Sequence, residues 1–376
     1  MIPRRYVAAG LIFLWVWAAC NHSADAASAA NRSNRLERLA EQEQALLDQR
    51  GILLHEVSLS RYLKEVAERL WATLLTDLGA PTFQVIRDTQ MDAHAYPNGY
   101  CYLTTGILNQ LENEDQLAMI LAHEMVHYLR QHTVELYDYL QNPFSGDSWP
   151  NASQNHRIGD QAVQSKIDAA ERQADMEGFS MILGAGYCGG EVITLMGNLI
   201  TSMQELGRPE VLTMLEARRK RIEALLGLSP AGGACRRPSA GDHERFLHAI
   251  APALMANGQA ALQRGEWKTA DRSISMYLAV KPADARAYYL KGEILRRQND
   301  DDGNIASMGY YQQALKIDPN HPLAHRSLGE LYFKAGHYQM AQSYFESFLN
   351  LNTHDESREF IIGYLRQCRD REHNRP

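Results

Sequence analysis

The apolar positions change period several times along the chain, and each change predicts an element. After Asn113, the residues Leu117, Ile120, Leu121, Met125 and Tyr128 recur at the three- and four-residue spacing of an amphipathic helix. Asn113 stands where a cap is needed and Gln116 can reach back to the chain before it, so the helix is predicted to begin there. A second helix is predicted around Ile167 to Gly178, a segment of strong helical propensity in which Ala174 and Gly178 are small enough to admit a close neighbour. Between Ala93 and Leu103 the pattern alternates instead, flanking Pro97-Asn98-Gly99, and predicts a β-hairpin. Tyr139 to Asp160 holds too many breakers for an element and is predicted to be a long loop acting as a lid.

A composition break at Ser229-Pro230-Ala231-Gly232-Gly233-Ala234 separates two domains. Beyond it the pattern repeats. Counting from Ala251, the residues Gly258, Ala270, Tyr277 and Pro282 fall at positions 8, 20, 27 and 32 of a thirty-four-residue helical hairpin. A second unit carries Tyr288, Gly292, Leu295, Tyr311, Ala314 and Pro319, with extra residues around Asn299 to Gly303. A third carries Leu328, Gly329, Tyr332, Gly336, Ala341, Phe345 and Phe348. Small residues at the eighth and twentieth positions let paired helices touch, and aromatics fill the space between them. These units resemble tetratricopeptide repeats (TPR), with Glu356 to Cys368 as a capping helix. Three of them stack a continuous core and a concave face suited to peptides or partner proteins. Because the first unit matches least well, two repeats plus a cap is the alternative count.

The sequence therefore divides into a leader at 1–19, an N-terminal linker or helix at 20–50, a first domain at 51–235, a connector at 236–250, and repeats with their cap at 251–370. In the leader, Arg4-Arg5 precede an apolar run from Tyr6 to Ala19 that is too short and too early to be more than a secretory signal. Its end, Val16-Trp17-Ala18-Ala19-Cys20, has the form of a lipoprotein cleavage site, while ordinary cleavage near Ala24-Asp25-Ala26 is the alternative. The formal net charge is −7, and loss of the leader removes Arg4 and Arg5, which argues against nucleic acid as a partner. Arg218-Arg219-Lys220-Arg221 is read as a solvated helix face. Of the five cysteines, Cys101, Cys188, Cys235 and Cys368 would remain in an oxidising space, with three pairings open to them; one of these would join Cys101 to Cys368.

The chemistry lies in His123-Glu124-Met125-Val126-His127. Two imidazoles one helical turn apart share a face and can reach one ion. A catalytic zinc keeps three protein ligands and leaves a position open for water, so a third donor is needed. The metzincin spacing fails, because Arg130 and Thr133 occupy its Gly and His positions and His132 is one residue out of register. Glu171 on the second predicted helix supplies the donor instead, and Asp175 one turn on is placed to accept the outer N–H of a ligating histidine. Glu124 stands beside a ligand and is free to act as general base. His243 and His248 in the connector are candidates for an additional, inhibitory ligand.

Taken together, Leu121-Ala122-His123-Glu124-Met125-Val126-His127, Glu171-x-x-Ala174-Asp175-x-x-Gly178 and Asp92-Ala93-His94-Ala95-Tyr96-Pro97-Asn98-Gly99-Tyr100 resemble the HtpX, Oma and BepA type zinc metallopeptidases, peptidase family M forty-eight of the gluzincins, over roughly residues 55 to 230. Asp92 departs from the family's usual Asn, and neither Arg208-Pro209 nor His243-Glu244-Arg245 fits the family's later His-Pro and Arg positions well. The resemblance implies a mostly helical α+β fold with a small β-sheet, followed here by an all-α TPR solenoid. It implies one Zn2+ per chain held by His123, His127 and Glu171, with Glu124 catalytic and Asp175 behind a ligand. A zinc peptidase followed by such repeats in a secreted chain resembles the arrangement of the BepA-type members of that family. That further resemblance implies a periplasmic endopeptidase of a Gram-negative envelope, acting on misfolded or stalled polypeptides in outer-membrane protein quality control and assembly. Its partners would be polypeptide substrates and the assembly machinery, with membrane contact only through a lipid on Cys20. The competing expectation is a latent peptidase that works mainly as a TPR scaffold.

Overall fold

The computed structural model describes residues 29–76, 78–141, 161–228, 239–298, 301–352 and 357–373. The leader, Cys20, Cys235 and residues 142–160 of the expected lid lie outside the described residues. The chain divides into two compact units between Ala253 and Leu254. Among the described residues, no helix is long and apolar enough to cross a membrane.

The first unit opens with helices α1 (Ala29–Gln49) and α2 (Val57–Trp71), followed by strands β1 (Thr82–Ile86), β2 (Ala93–Ala95) and β3 (Tyr100–Thr104). The expected hairpin is present. Ala93 pairs with Leu103, His94 with Tyr102 and Ala95 with Cys101, and Gly99 turns the chain at a φ of 82° that only glycine adopts without strain. β3 is central, with β1 parallel on its other side and the antiparallel β2 at the edge. The outer edge of β1 is covered by the segment before α2: Leu54 N donates to Val85 O, and Arg87 N, just past the strand, donates to Ile52 O. Asp92 pins the entry of β2: its N–H donates to Thr104 Oγ1 at 3.1 Å, and its carbonyl accepts from Thr104 N at 3.0 Å.

Short α3 (Thr105–Leu108) leads into α4 (Glu114–Leu129). Asn113 caps α4 as its sequence suggested, accepting from Gln116 N at 3.0 Å, while Gln116 Oε1 reaches back to Glu112 N at 2.8 Å. The apolar stripe of α4 is the heart of the unit, with Leu117, Leu121 and Met125 at 0 % exposure. Then come α5 (His132–Gln141), α6 (Gln161–Gly184), α7 (Gly189–Glu205) and α8 (Pro209–Leu228). α6 crosses α4 closely at Gly178, where an added Cβ would lie 3.2 Å from His123 N and 3.3 Å from Ala122 C. Leu36 and Ala40 of α1 pack with Tyr96 and Tyr102 of the hairpin, Leu136 and Tyr137 of α5, and Val163 and Ile167 of α6.

α9 (Ala240–Arg264) crosses the division between the units. The second unit continues with α10 (Trp267–Val280), α11 (Ala285–Arg297), α12 (Asp301–Ile317), α13 (Pro322–Lys334), α14 (Tyr338–Leu351) and α15 (Arg358–His373). The spacing rule of the repeats is visible in three glycines. A Cβ on Gly258 would meet Ile274 at 2.5 Å, on Gly292 Tyr311 at 2.5 Å, and on Gly329 Phe345 at 2.6 Å. Ala270, Ala314 and Ala341 are wholly buried beside them. The fold is thus mostly helical with one small sheet and a helical-repeat array. Cys188, at the start of α7, is disulfide-bonded. Cys101 and Cys368 are free thiols, so the bond between them considered from sequence is not formed; each is sealed at 0 % exposure in the core of its own unit.

Candidate metal centre

α4, α6 and α8 converge on a cleft of about 640 Å³, which also reaches Ala93 at the sheet edge and Met196 and Leu199 on α7. His123 and His127 project from α4 one turn apart, with Nε2 atoms 3.1 Å from each other. Glu171 comes in from α6, with Oε2 3.3 Å from His123 Nε2 and Oε1 3.5 Å from His127 Nε2. Donors bound tetrahedrally at 2.0–2.1 Å stand about 3.3 Å apart, and the two Nε2 atoms with the Glu171 carboxylate, whose two oxygens each face one ring, come near that spacing for one zinc-sized cation. Two imidazole lone pairs and a carboxylate are also the donor set of a hydrolytic zinc. The close approach at Gly178 is what brings Glu171 within reach of the α4 histidines.

Glu124 points into the cleft and is 4 % exposed, with Oε2 lacking a hydrogen-bond partner. Burial pushes its carboxyl up to about 8, helped by the charges of Glu171 and Asp92 and opposed by His123 and Arg218. Burial drives His127 down to about 3, which keeps it neutral. For His123, burial and the Arg218 charge push down, but Asp175 and Glu171 outweigh them and lift the ring to about 9. Glu171 is held well below the usual carboxylate range, the pull of His123, His127 and Arg218 overcoming burial.

Asp175, at 1 % exposure, lies behind His123, with Oδ1 3.2 Å from Nδ1. It does not stand alone. Arg218 reaches the same Oδ1 at 2.7 Å and lies 3.6 Å from Glu171, and Arg221 grips Oδ2. Burial would raise the Asp175 carboxyl, but Arg218 and His123 hold it near 2. The basic run on α8 is therefore a solvated face only in part. Arg219 pairs outward with Glu223, whereas Arg218 and Arg221 turn inward. Sequence did carry a signal for Arg218: it falls on the stripe of Val211, Leu215 and Ile222, all buried.

His132, set aside from sequence as out of register, packs directly behind His127, Nδ1 to Nδ1 at 3.0 Å. His243 and His248 do not join the cluster. His243 hydrogen-bonds to the Glu112 carbonyl and His248 lies 3.6 Å from Glu244 on its own helix.

Residues 58–143 match the profile of Peptidase family M48, and residues 285–321 and 327–355 match that of the tetratricopeptide repeat, with a further TPR repeat profile at 310–336. The chain thus resembles a peptidase of family M48 continued by TPR repeats. An 81-residue stretch is 32 % identical to a putative beta-barrel assembly-enhancing protease of Vibrio cholerae serotype O1, covering 21 % of this chain and 16 % of that relative. The crystal structure of MamA protein aligns over 35 % of this chain and 82 % of its own, at 16 % identity and a TM-score of 0.26.

Proposed function

We propose that the first unit is a zinc-dependent endopeptidase, with His123, His127 and Glu171 as the metal ligands and Glu124 as the general base. The observation that carries this reading is the convergence of three donor atoms at zinc-site spacing beside a buried carboxylate oxygen with no protein partner. When bound, zinc lowers the pKa of water and polarises the scissile carbonyl. Glu124 takes a proton from the attacking water and returns it to the departing amine. Its burial favours the protonated carboxyl and so helps it hold the proton between those two steps. Asp175 fixes the His123 ring, so that Nε2 keeps its lone pair for the metal. β2 offers an extended substrate a free sheet edge next to the cleft, for main-chain pairing with little sequence preference. Asp92 and Tyr96 bond inward to Thr104 and Tyr100 and His94 stands opposite Tyr102 in the same register, so the outward groups are those of Ala93 and Ala95; Ala95 O is already taken by Thr133 Oγ1 at 3.2 Å, which leaves Ala93 for pairing.

The repeats would recruit substrate or a partner protein. The name of the Vibrio relative, a putative beta-barrel assembly-enhancing protease, supports a role in beta-barrel protein assembly, and the leader sequence supports a periplasmic site of action with a lipid on Cys20 as the tether. The test is zinc content and casein cleavage in the wild type and Glu124→Gln. One zinc in both is expected, with cleavage lower in the variant by roughly a hundredfold to ten-thousandfold. Cleavage that survives the substitution removes Glu124 from the mechanism.

A second reading, a latent peptidase serving as a TPR scaffold, draws on one observation. Arg218 lies 3.1 Å from His123 Nδ1 and shares Asp175 Oδ1 with it, so a fixed positive charge crowds the ring's outer hydrogen bond.

A further inference from the structure

Resting on the zinc reading of His127, we propose that His132 and Gln173 are positioning residues that fix the tautomer of that ligand through a one-way hydrogen-bond chain starting at the surface pair Arg130–Glu177. The direction of every proton in the chain follows from its outer end. Glu177 is an ionised carboxylate that only accepts, and Arg130 holds it in a fork, Nε and NH2 lying 2.9 and 2.8 Å from Oε2. Gln173 lies 2.8 Å from Glu177 Oε1, so the atom it turns to Glu177 is its NH2 and its amide oxygen faces inward. That oxygen is 3.3 Å from His132 Nε2, which therefore carries the proton of the His132 ring. His132 Nδ1 is left with a lone pair, 3.0 Å from His127 Nδ1. His127 must then carry its own proton on Nδ1, and its Nε2 lone pair faces His123 and Glu171.

The reverse polarity fails at one link. If His132 donated from Nδ1, its bare Nε2 would need the Gln173 NH2, and the amide oxygen would turn to the Glu177 carboxylate, acceptor against acceptor. The innermost link is shielded, with His127 and His132 at 4 and 7 % exposure, while the link to Gln173 is part-buried. The two candidate ligands on α4 are thus oriented by different chemistry, His123 by a carboxylate and His127 by a neutral imidazole backed by an amide. Outer partners of this kind are worth about tenfold to a hundredfold in metal affinity.

The test is zinc affinity of the full chain, by competition against a chromophoric zinc chelator, beside the melting temperature of the zinc-free protein. His132→Phe keeps the ring's bulk and removes the acceptor. It is expected to bind zinc roughly tenfold to a hundredfold more weakly, with the zinc-free melting temperature unchanged. His132→Asn places an amide oxygen where Nδ1 stands and is expected to stay within about threefold of the wild type. A His132→Phe protein that binds zinc as tightly as the wild type overturns the proposal, as does His132→Asn falling as far as His132→Phe. Should His132→Phe fail to fold, Gln173→Leu on the partly exposed face of α6 removes the next acceptor. A loss of about threefold or more is expected there, and none overturns the chain. A wild type that takes up no zinc is a separate result, which sinks the metal reading and this inference with it.

Discussion

Asp175 gathers two guanidinium groups and an imidazole around one carboxylate at 1 % exposure, and Arg218 is the partner that also faces Glu171. Removing one member of such a buried cluster leaves charge uncompensated, at a cost of 3–5 kcal/mol when no other partner remains. Arg221 remains here, so Arg218→Met is expected to cost about 2 kcal/mol in urea unfolding. A change below about 0.5 kcal/mol would place Arg218 among the solvated charges after all. Its inward course was half legible, since an arginine in register with Val211, Leu215 and Ile222 lies on the buried stripe. Which acid it meets depends on how α8 crosses α6, and no local pattern encodes that.

Glu293 is the counterpart in the repeat unit. At 2 % exposure it accepts from Tyr311 at 2.7 Å, from Ser327 at 3.2 Å and from Arg296 at 3.0 Å. Burial pushes its carboxyl up, but the hydrogen bonds and charges of Arg296, with Tyr311 and Arg297, hold it below the usual value. A depressed carboxylate pKa stabilises the fold above the unfolded value of about 4.3 and loses that contribution as pH falls through the folded value. Glu293→Gln is therefore expected to cost about 2 kcal/mol at pH 7 and to lack this part of the wild type's acid loss below about pH 4. Equal acid sensitivity in both proteins, followed by circular dichroism against urea and pH, would show that Glu293 contributes nothing to it.

At the scale of elements, what sequence revealed were the patterns that neighbours in the chain decide. The α4 cap, the stripe of α4 and the hairpin around Gly99 are each set within a dozen or so residues, and each formed where it was expected. β1 carried no such signal, because its parallel partner β3 is joined to it through β2 and no tight turn links them. The repeats were legible for the opposite reason: each hairpin solves the same packing problem in the same register. Gly292 and Gly309 test that register within adjoining helices. A methyl on Gly292 would drive into the Tyr311 ring, which is wholly buried, so Gly292→Ala is expected to destabilise by about 2 kcal/mol. Gly309 on α12 has open space around its Cβ direction, and Gly309→Ala is expected to stabilise by about 0.5 to 1 kcal/mol through helix propensity alone. Melting curves that move the same way for both would mean that the glycine positions carry no packing information.

At the scale of the whole molecule, the two units pose the question of which one performs the work. Sequence announced both, but the spacing of His123, Glu124, His127 and Glu171 cannot distinguish a turning-over site from a silent one, because the difference lies in charges such as Arg218 that arrive from elsewhere in the fold. The Glu124 carboxylate offers a clean separation: it is far in sequence from the repeats, and replacement by Gln changes neither shape nor volume. If the protein acts by proteolysis, zinc-loaded wild type should shorten a reduced, unfolded polypeptide into fragments, while Glu124→Gln leaves it intact. If the repeats act by holding, both proteins should slow the aggregation of that polypeptide equally, as read by light scattering, and no fragments should appear with either. The cleft, the three converged donors and the unpartnered Glu124 oxygen favour the first outcome. Equal protection without cleavage in a wild type holding one zinc would reassign the first unit from enzyme to latent partner of the repeats.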